Sequence, residues 1–201
     1  RDAGLVQKAV SGCDVVFHEA AVASVPRSVE DPLGTNDQNL NGTLVLLTAA
    51  RDAKVKRFVF ASSSAVYGTS PAPCQQETDP PDPLSPYALH KLAGEQYARM
   101  FWRLFGLETV ALRYFNIFGP RQSFDSPYSG VIARFCTAFL EQKAPTIFGN
   151  GRQTRDFAYV TNVVHANLLA TEAPADRVAG RVFNVGSGQA RSVLDLWDSV
   201  G

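Results

Sequence analysis

Hydrophobic positions along the chain alternate between short apolar runs and longer stretches with helical spacing. Asp14–Phe17 and Arg57–Phe60 have the length and the β-branched or aromatic content of buried strands. Between them, Leu40, Leu44 and Leu47 recur at the spacing of one helix face, within a segment from about residue 36 to 52. Strands that alternate with helix-length connections predict an α/β fold with a mostly parallel sheet covered on both faces.

The most completely marked helix runs from Pro86 to Phe105. Ser85 is a good N-cap, Pro86 suits the first helical position, and Gly106 suits the residue after the helix end. The apolar residues of this segment cover more than one stripe. The helix is therefore predicted to be buried on two sides, one against the sheet and the other against a partner subunit.

Weaker patterns predict the remaining elements. The prolines between Ser70 and Pro86 exclude regular structure there. The further predicted elements are strands over 109–115, 146–148, 156–160 and 181–185, and helices over 131–142, 161–171 and 192–200.

Composition and charge exclude several classes of function. The chain has 201 residues, of which 45% are hydrophobic and 19% charged, which is typical of a globular domain. Nineteen basic residues balance nineteen acidic ones, so no overall field attracts nucleic acid or an anionic membrane. The longest apolar stretches, such as Leu44–Leu47, are too short to span a bilayer.

The cysteines and histidines do not form a pattern of metal ligands. Cys13, Cys74 and Cys136 are widely spaced, which favours reduced thiols in a cytoplasmic protein. The histidines are also isolated, so packing or surface roles are favoured over metal ligation, and we expect no metal site; they are His18, His90 and His165.

Candidate chemistry begins with Tyr87 and Lys91, which lie four residues apart and therefore share a helix face. A phenol has a pKa of about 10, and a nearby ammonium stabilises the phenolate, which makes tyrosine a usable base. The preceding strand ends in Ser62–Ser64, and ligands of open parallel sheets lie beyond the carboxyl ends of the strands. Either feature alone is common; together they indicate a site.

These features occur within a longer ordered set of motifs. The chain resembles the extended short-chain dehydrogenase/reductase superfamily and, within it, the NAD-dependent epimerase/dehydratase family, with most likeness to the UDP-glucose and UDP-N-acetylglucosamine 4-epimerases. The fold that this implies is a Rossmann-like doubly wound parallel sheet. The matching blocks are Val16–Ala21, Asn39–Thr43, Phe60–Gly68, Ser85–Lys91, Arg113–Pro120, Arg155–Val160 and Asn184–Gly188.

The resemblance implies a catalytic role for three residues. Tyr87 would take the proton from the sugar hydroxyl at C4 while hydride leaves for NAD. Lys91 would hold the nicotinamide ribose and lower the pKa of Tyr87. Ser63 would be the catalytic hydroxyl, with Ser64 as a secondary candidate. The residues implied to bind the cofactor are Ala20, Ala21, Asn39, Ser62, Tyr87, Lys91, Tyr114 and Phe115. For Asn39, a core hydrogen bond is an equally good reading.

The resemblance also implies a set of substrate contacts. Asn116 would hold the diphosphate of a UDP-sugar, Arg155 would pair with it through charge-assisted bonds, and Thr146–Phe148 would border the uracil. The full substrate set is Ser63, Ser64, Tyr87, Asn116, Val131, Thr146, Phe148 and Arg155.

Two details narrow the expected activity. The sugar 4,6-dehydratases carry an acidic pair where this chain has Ser64 and Ala65, which disfavours dehydration. Segments 23–28 and 126–131 look closest to epimerases of UDP-N-acetylhexosamines. The expected function is 4-epimerisation of a UDP-hexose or UDP-N-acetylhexosamine through a 4-keto sugar. The alternatives are a nucleotide-sugar decarboxylase, reductase or dehydratase, a non-catalytic NAD-binding scaffold, or an inactive fragment.

The resemblance predicts two partial domains and a homodimer joined by a helical bundle. Residues 1–120 and 155–188 would form part of an NAD-binding domain, and 121–154 and 189–201 part of a substrate subdomain. The family's Gly-rich turn, and the acidic residue that selects NAD, would precede position 1. We therefore expect the 201-residue polypeptide to be inactive by itself.

Overall fold

The computed structural model describes residues 1–69, 74–123 and 130–200. The chain divides into two compact units. The first consists of residues 1–114 and 165–184, and the second of residues 115–164 and 185–201. The helices are α1 (Ala3–Val10), α2 (Val25–Glu30), α3 (Pro32–Asn36), α4 (Gly42–Asp52), α5 (Pro86–Phe105), α6 (Val131–Leu140), α7 (Val160–Glu172), α8 (Ala175–Val178) and α9 (Val193–Val200). The strands are β1 (Val15–His18), β2 (Arg57–Ser63), β3 (Glu108–Tyr114), β4 (Asn116–Phe118), β5 (Thr154–Tyr159), β6 (Arg181–Val185) and β7 (Ala190–Ser192).

The first unit is built on a four-stranded sheet in the order β1-β2-β3-β6. β1 pairs in parallel with β2, and β2 in parallel with β3, in the register that places Ser62 beside Arg113 and Ser63 beside Tyr114. The predicted parallel sheet is therefore confirmed. Because these strands run the same way, their carboxyl ends meet at one edge of the sheet.

The helix α5 follows its sequence signals at both ends. The Ser85 hydroxyl accepts a hydrogen bond from the backbone N–H of Ala88 at 3.1 Å, and Pro86 occupies the first turn. Gly106 ends the helix in the left-handed conformation, with φ of 72°. The prediction of a helix over 86–105 is confirmed.

Helices cover both faces of the sheet. On one face, Phe58 and Phe60 of β2 belong to a core cluster that includes Leu47 of α4 and Phe101 of α5. Side chains alternate along a strand, so Arg57 points to the other face. There its guanidinium donates to the carbonyl oxygens of Ala170, at 2.5 Å, and Ala173, at the end of α7.

The second unit contains a three-stranded sheet in the order β4-β5-β7. β4 and β5 are parallel, and β5 and β7 are antiparallel. This sheet was not predicted, because strands of three residues carry too little periodicity to identify. Its strands lie within residues 115–164 and 185–201, which make up the second unit.

Other differences from the predicted elements are local. Residues 146–148 form no strand, so that prediction is wrong; no strand in the described part of the chain pairs with them, and they border a cavity described below. The predicted helix over 36–52 begins as a π-helical turn, Asp37–Asn41, before α4. Residues 74–85 contain no helix or strand, as expected, while 70–73 lie outside the described residues.

The helices and the cysteines each have one further property that bears on function. No helix within the described ranges combines the length and the apolarity that crossing a membrane requires. The three cysteines are exposed and are not paired in disulfides.

Candidate active site

The candidate catalytic residues lie in the first unit, around the carboxyl ends of β1, β2 and β3. Ser63 is the last residue of β2, and Tyr114, its register partner, is the last residue of β3. Tyr87 and Lys91 occupy the first two turns of α5. The fold thus brings together the strand serine and the helical Tyr/Lys pair that the sequence predicted separately.

The backbone of Tyr87 is fixed by a residue from α2. The Ser28 hydroxyl accepts a hydrogen bond from the Tyr87 N–H at 3.1 Å and donates to the Val25 carbonyl at 2.7 Å. Ser28 is completely buried. The first N–H groups of a helix have no partner within the helix, so this bond, with the Ser85 cap, satisfies two of them and anchors Tyr87.

The Tyr87 hydroxyl is hydrogen-bonded to Ser63 and lies in a buried environment. Burial raises the pKa of Tyr87 above its ordinary value, and the hydrogen bond to Ser63 opposes this rise. The Lys91 ammonium lies 5.8 Å from the centroid of the Tyr87 ring. In the protein alone, burial therefore outweighs the groups that favour the phenolate, and a further positive charge is needed to make Tyr87 a base near neutral pH.

The Lys91 ammonium is buried and donates to the Ala61 carbonyl at 2.6 Å. Burial lowers the pKa of Lys91 to about 8, and the negative charge of Glu19 opposes this shift. An ammonium has three donors. Within the described ranges its one protein acceptor is Ala61, which leaves donors for a ligand rich in hydroxyl groups, such as a ribose.

The carboxyl end of β1 supplies two polar residues beside this lysine. His18 bonds to the Thr43 hydroxyl at 2.8 Å, and burial, followed by the charge of Lys91, lowers its pKa to about 4. The next residue, Glu19, accepts a hydrogen bond from the Tyr114 hydroxyl at 2.9 Å. Asn167 in turn donates to that hydroxyl at 2.7 Å. Sequence reasoning missed Glu19, because a single carboxylate after a strand carries no recognisable signal.

Asn39 forms core hydrogen bonds, which were one of the two roles predicted for it. Its side-chain oxygen accepts from the Val22 N–H at 2.7 Å, and its amide nitrogen donates to the Val22 carbonyl at 3.2 Å. These two bonds hold the loop that contains Ala20 and Ala21, the two small residues predicted to contact the cofactor. Asn39 thus fixes the position of this loop through its core hydrogen bonds.

The three consecutive serines have different partners. Ser62 is buried and donates its hydroxyl proton to Glu95 of α5. The Ser63 hydroxyl accepts a hydrogen bond from the Ala65 N–H at 3.2 Å. Ser64 is half-buried at the start of a 3₁₀ turn, Ser64–Tyr67. The Ser62 hydroxyl is therefore committed to Glu95, and its predicted contact with a cofactor would involve the backbone.

The predicted substrate residues of the second unit line one cavity of about 250 Å³. Arg155 is the only charged residue among the described residues that line it. The lining includes Asn116, Val131, Thr146, Phe148 and Arg155, together with Ile117, Phe118, Gln122, Gly130, Ile132, Ile147, Gln153, Phe157 and Val193. An apolar cavity with one guanidinium and a few amides suits a flat heterocycle carrying an anionic group.

Two residues that line the cavity, Asn116 and Arg155, also donate hydrogen bonds to backbone carbonyl groups. The Asn116 amide donates to the backbone carbonyl of Asp156 at 2.9 Å. The Asp156 carboxylate accepts three hydrogen bonds of 2.7 Å, from the Ser187 N–H, the Ser187 hydroxyl and the Gly188 N–H. Arg155 is exposed and donates to the Thr154 carbonyl at 2.7 Å, so its charge remains available. Phe115, a predicted cofactor contact, donates its N–H to the Val185 carbonyl at 3.1 Å.

Comparison with known proteins identifies close relatives. The model of the NAD dependent epimerase/dehydratase family matches residues 1–186. A putative UDP-glucose 4-epimerase from Methanocaldococcus jannaschii is 41% identical over 188 residues, and a UDP-glucose 4-epimerase from Mycolicibacterium smegmatis is 42% identical over 190 residues. Each alignment covers 93% of this chain.

A solved structure shows the same relationship. The UDP-N-acetylglucosamine 4-epimerase from Methanobrevibacter ruminantium, solved in complex with UDP-N-acetylmuramic acid, superposes with a TM-score of 0.92 and 42% identity over 96% of this chain. This likeness confirms the predicted Rossmann-type α/β fold. The chain spans 60%, 59% and 61% of the lengths of these three relatives, respectively.

Proposed function

We propose that this chain, which belongs to the NAD dependent epimerase/dehydratase family, carries the catalytic residues of a UDP-sugar 4-epimerase. The observation that supports this most directly is the contact of Tyr87 with both Ser63 and Lys91 at the carboxyl end of β2. The three relatives described above are a putative and a named UDP-glucose 4-epimerase and a UDP-N-acetylglucosamine 4-epimerase. A UDP-hexose or UDP-N-acetylhexosamine is therefore the proposed substrate.

The residues at the carboxyl end of the sheet fit the cofactor of the family. Lys91 would donate its remaining N–H groups to the hydroxyls of the nicotinamide ribose, and Ala20 and Ala21 would leave room beside it. NAD, when bound, supplies the hydride acceptor for oxidation at C4, the donor for the return step, and the positive charge that favours the Tyr87 phenolate. Lys91 is ammonium at pH values below about 8 and adds to that charge.

Tyr87 is the proposed proton carrier at the sugar. As a phenolate, its oxygen takes the proton of the C4 hydroxyl while the hydride leaves C4, which gives a 4-keto sugar. Ser63 holds the sugar oxygen and the tyrosine in hydrogen-bond reach of each other. After the keto sugar turns over, Tyr87 would return the proton to the C4 oxygen in the return step, for which NAD would supply the hydride.

The cavity of the second unit is proposed to hold the UDP moiety. Arg155 would bind the diphosphate through its guanidinium, and Thr146 and Phe148 would border the uracil. Ser64 and Ala65 place no carboxylate next to Ser63. Elimination of water from the sugar needs an acid and a base there, so epimerisation is favoured over dehydration.

We also propose that two copies associate through α5. Leu89 and Leu104 are 54% and 65% exposed on this helix, although both are large apolar residues. A second copy would cover them, as the two-sided apolar pattern predicts. Sedimentation velocity tests this: Leu104→Glu should convert a dimer to a monomer, and a monomeric parent protein would contradict the proposal.

The test of function uses the full gene product that contains this sequence. We expect it to convert a UDP-sugar to its C4 epimer without net NADH, as followed by proton NMR. Release of carbon dioxide would instead indicate a decarboxylase, and stoichiometric oxidation or reduction of the cofactor a reductase. The 201-residue polypeptide alone should give no turnover, and turnover by it would contradict that expectation.

Tyr87→Phe in the full gene product separates chemistry from binding. The variant should lose turnover, because the phenol is the proposed proton carrier, and it should retain UDP binding. Tyr97→Phe is the matched control, since Tyr97 lies on the same helix and packs against the core cluster. Retained turnover in Tyr87→Phe would remove Tyr87 from the proposed role.

A further inference from the structure

A buried ion pair lies directly behind the candidate catalytic residues. Arg113 of β3 binds Glu95 of α5 through two parallel hydrogen bonds, from Nε to Oε1 at 2.9 Å and from Nη2 to Oε2 at 2.8 Å. The side chains are 5% and 1% exposed, respectively. Both carboxylate oxygens are used, and Oε1 also accepts the hydroxyl proton of Ser62.

The pair connects the three elements that carry the site. Glu95 lies one helical turn after Lys91 and two turns after Tyr87, so it shares their face of α5. Ser62 and Arg113 are register partners, and each is followed by a residue of the site, Ser63 or Tyr114. One carboxylate therefore holds the catalytic helix at a fixed height relative to both strand ends.

The chain on the other side of Ser63 is held by the same guanidinium. The Arg113 Cζ atom lies 4.6 Å from the centroid of the Tyr67 ring, in the 3₁₀ turn that follows Ser63. The Tyr67 hydroxyl donates to the Asn184 side-chain oxygen at 2.7 Å. Ser63 thus sits between Ser62, which binds Glu95, and Tyr67, which stacks on Arg113.

Stability alone does not account for an ion pair at this position. Moving two charges into the interior costs about as much as their attraction returns, and well-packed apolar residues often serve stability equally well. A bidentate pair adds a directional constraint that apolar contacts lack. That constraint acts at the end of the sheet where Ser63 and Tyr87 must meet.

We propose that Glu95 and Arg113, with Ser62, are positioning residues that set the distance between the Tyr87 hydroxyl and Ser63. This inference rests on the proposed function of Tyr87 and Ser63. None of the three side chains need touch substrate or cofactor. Their effect is to keep the first turns of α5 and the end of β2 in one relative position through the catalytic cycle.

The chain contains a matched control pair at the opposite end of the same strands. Arg57 binds Glu108 through Nε at 3.0 Å and Nη2 at 2.6 Å, and their side chains are 7% and 32% exposed. These residues begin β2 and β3, whereas Ser62 and Arg113 lie near their ends. Loss of this second pair weakens the same sheet without touching the site.

The test compares Glu95→Gln, Ser62→Ala and Glu108→Gln in the full gene product, each assayed well below its unfolding midpoint. Glu95→Gln and Ser62→Ala should lower kcat by about 10- to 100-fold with little change in KM, because misplacement of reacting groups acts on the chemical step. Glu108→Gln should leave kcat unchanged. Ser62→Ala keeps the ion pair and decides the matter if Glu95→Gln does not fold.

A second measurement does not depend on epimerase activity. The ¹³Cζ resonance of Tyr87 at neutral pH, assigned with Tyr87→Phe, reports the hydrogen bonding of the phenol. We expect it to move in Glu95→Gln and Ser62→Ala and to stay in place in Glu108→Gln. An unmoved resonance in the first two variants, or an equal change in the third, overturns the positioning role; a parent protein without epimerase activity overturns the proposed function instead.

Discussion

Gly94 and Phe60 are so close that a Cβ atom on Gly94 would lie 2.4 Å from the Cζ atom of the Phe60 ring. Phe60 is 2% exposed and belongs to the core cluster between β2 and the helices, so its ring has no free space to enter. The absence of a side chain at position 94 is therefore what lets α5 approach β2, between the turns that carry Lys91 and Glu95.

Gly94→Ala should destabilise the protein in spite of the better helix propensity of alanine. Overpacking of a buried site typically costs about 1–3 kcal/mol, which exceeds the gain of about 1 kcal/mol from replacing a helical glycine. The free energy of unfolding in urea measures the difference. The same substitution should lower kcat, because α5 must shift away from the strand that ends in Ser63.

Gly42→Ala is the control for this change. Gly42 lies in α4, and the nearest atoms to its added Cβ would be 3.7 Å and 4.0 Å away. Here propensity should dominate, and the free energy of unfolding should stay the same or rise by up to about 1 kcal/mol. Equal destabilisation by the two substitutions would contradict the close-approach argument.

Because the pKa of His18 is lowered in the folded protein, we expect the protein to lose stability in mild acid. The pKa of this histidine falls from 6.5 to about 4 in the folded protein, first through burial and then through Lys91. The unfolded chain therefore binds a proton that the folded chain resists, and the free energy of unfolding falls as the pH drops from 6.5 towards about 4. At about 1.4 kcal/mol per pKa unit, the full effect is about 3 kcal/mol.

His18→Gln should flatten this pH dependence while keeping a donor to Thr43. Burial also lowers the pKa of His90, so part of the slope should remain. Exposed His165 provides the control, and His165→Gln should leave the slope as in the parent protein. Urea unfolding at several pH values measures all three, and an unchanged slope in His18→Gln would contradict the assignment.

We expect Arg155 to make ligand binding depend on the diphosphate group of the ligand. Arg155→Ala removes the one charged group among the described residues of the cavity lining, so UDP should bind about 10- to 100-fold more weakly, the range expected for charge-assisted hydrogen bonds. Calorimetric titration with UDP and with uridine provides the measurement. Uridine lacks the diphosphate, and its affinity should change much less.

Arg152→Ala is the matched control for Arg155. Arg152 is an exposed arginine three residues earlier and is not among the residues that line the cavity. Its removal leaves the same overall charge as the loss of Arg155 and should have little effect on UDP affinity at physiological salt. Equal losses in the two variants would point to general charge attraction rather than a specific contact.

We expect substitution of Asp156 to reduce local order rather than to remove ligand contacts. Asp156→Asn replaces one carboxylate oxygen with an amide donor, so the N–H of Gly188 or the donors of Ser187 lose their acceptor. The expected cost is about 1–3 kcal/mol. Hydrogen exchange at the amides of residues 187 and 188 should accelerate, whereas Asp198→Asn, at an exposed position, should not change it.

The parts of the fold that were predictable are those with strong local signals. Helix α5 is bounded by a serine, a proline and a glycine whose backbone preferences act without tertiary contacts. Strands β2 and β3 contain the continuous apolar runs Phe58–Ala61 and Val110–Leu112, which are typical of strands buried on both faces. By contrast, β4 and β7 are three residues long and exist through their pairing with β5.

The residues of the candidate site also divide into those with a local sequence signal and those that depend on tertiary contacts. Tyr87, Lys91 and Ser63 were predicted from spacing and motif, and Arg155 from its place in a family block. Glu95 and Glu19 were not, because their partners are 18 and 95 residues away along the chain, respectively. On a helix face with both apolar and polar residues, the sequence alone predicts that a carboxylate is exposed to solvent. The strand that covers the carboxylate is known only from the tertiary structure.

Ser62, Ser63 and Ser64 follow one another in the chain. Their hydroxyl groups therefore cannot fix the register of β2. If β2 slipped by one residue so that Ser63 took the place of Ser62, a serine would still face Glu95 and another would face Tyr87, so these polar contacts do not discriminate between the two alignments. Phe58 and Phe60 do, since a slip would turn both rings out of the core. The serine that faces Tyr87 is thus decided by two phenylalanines of the core.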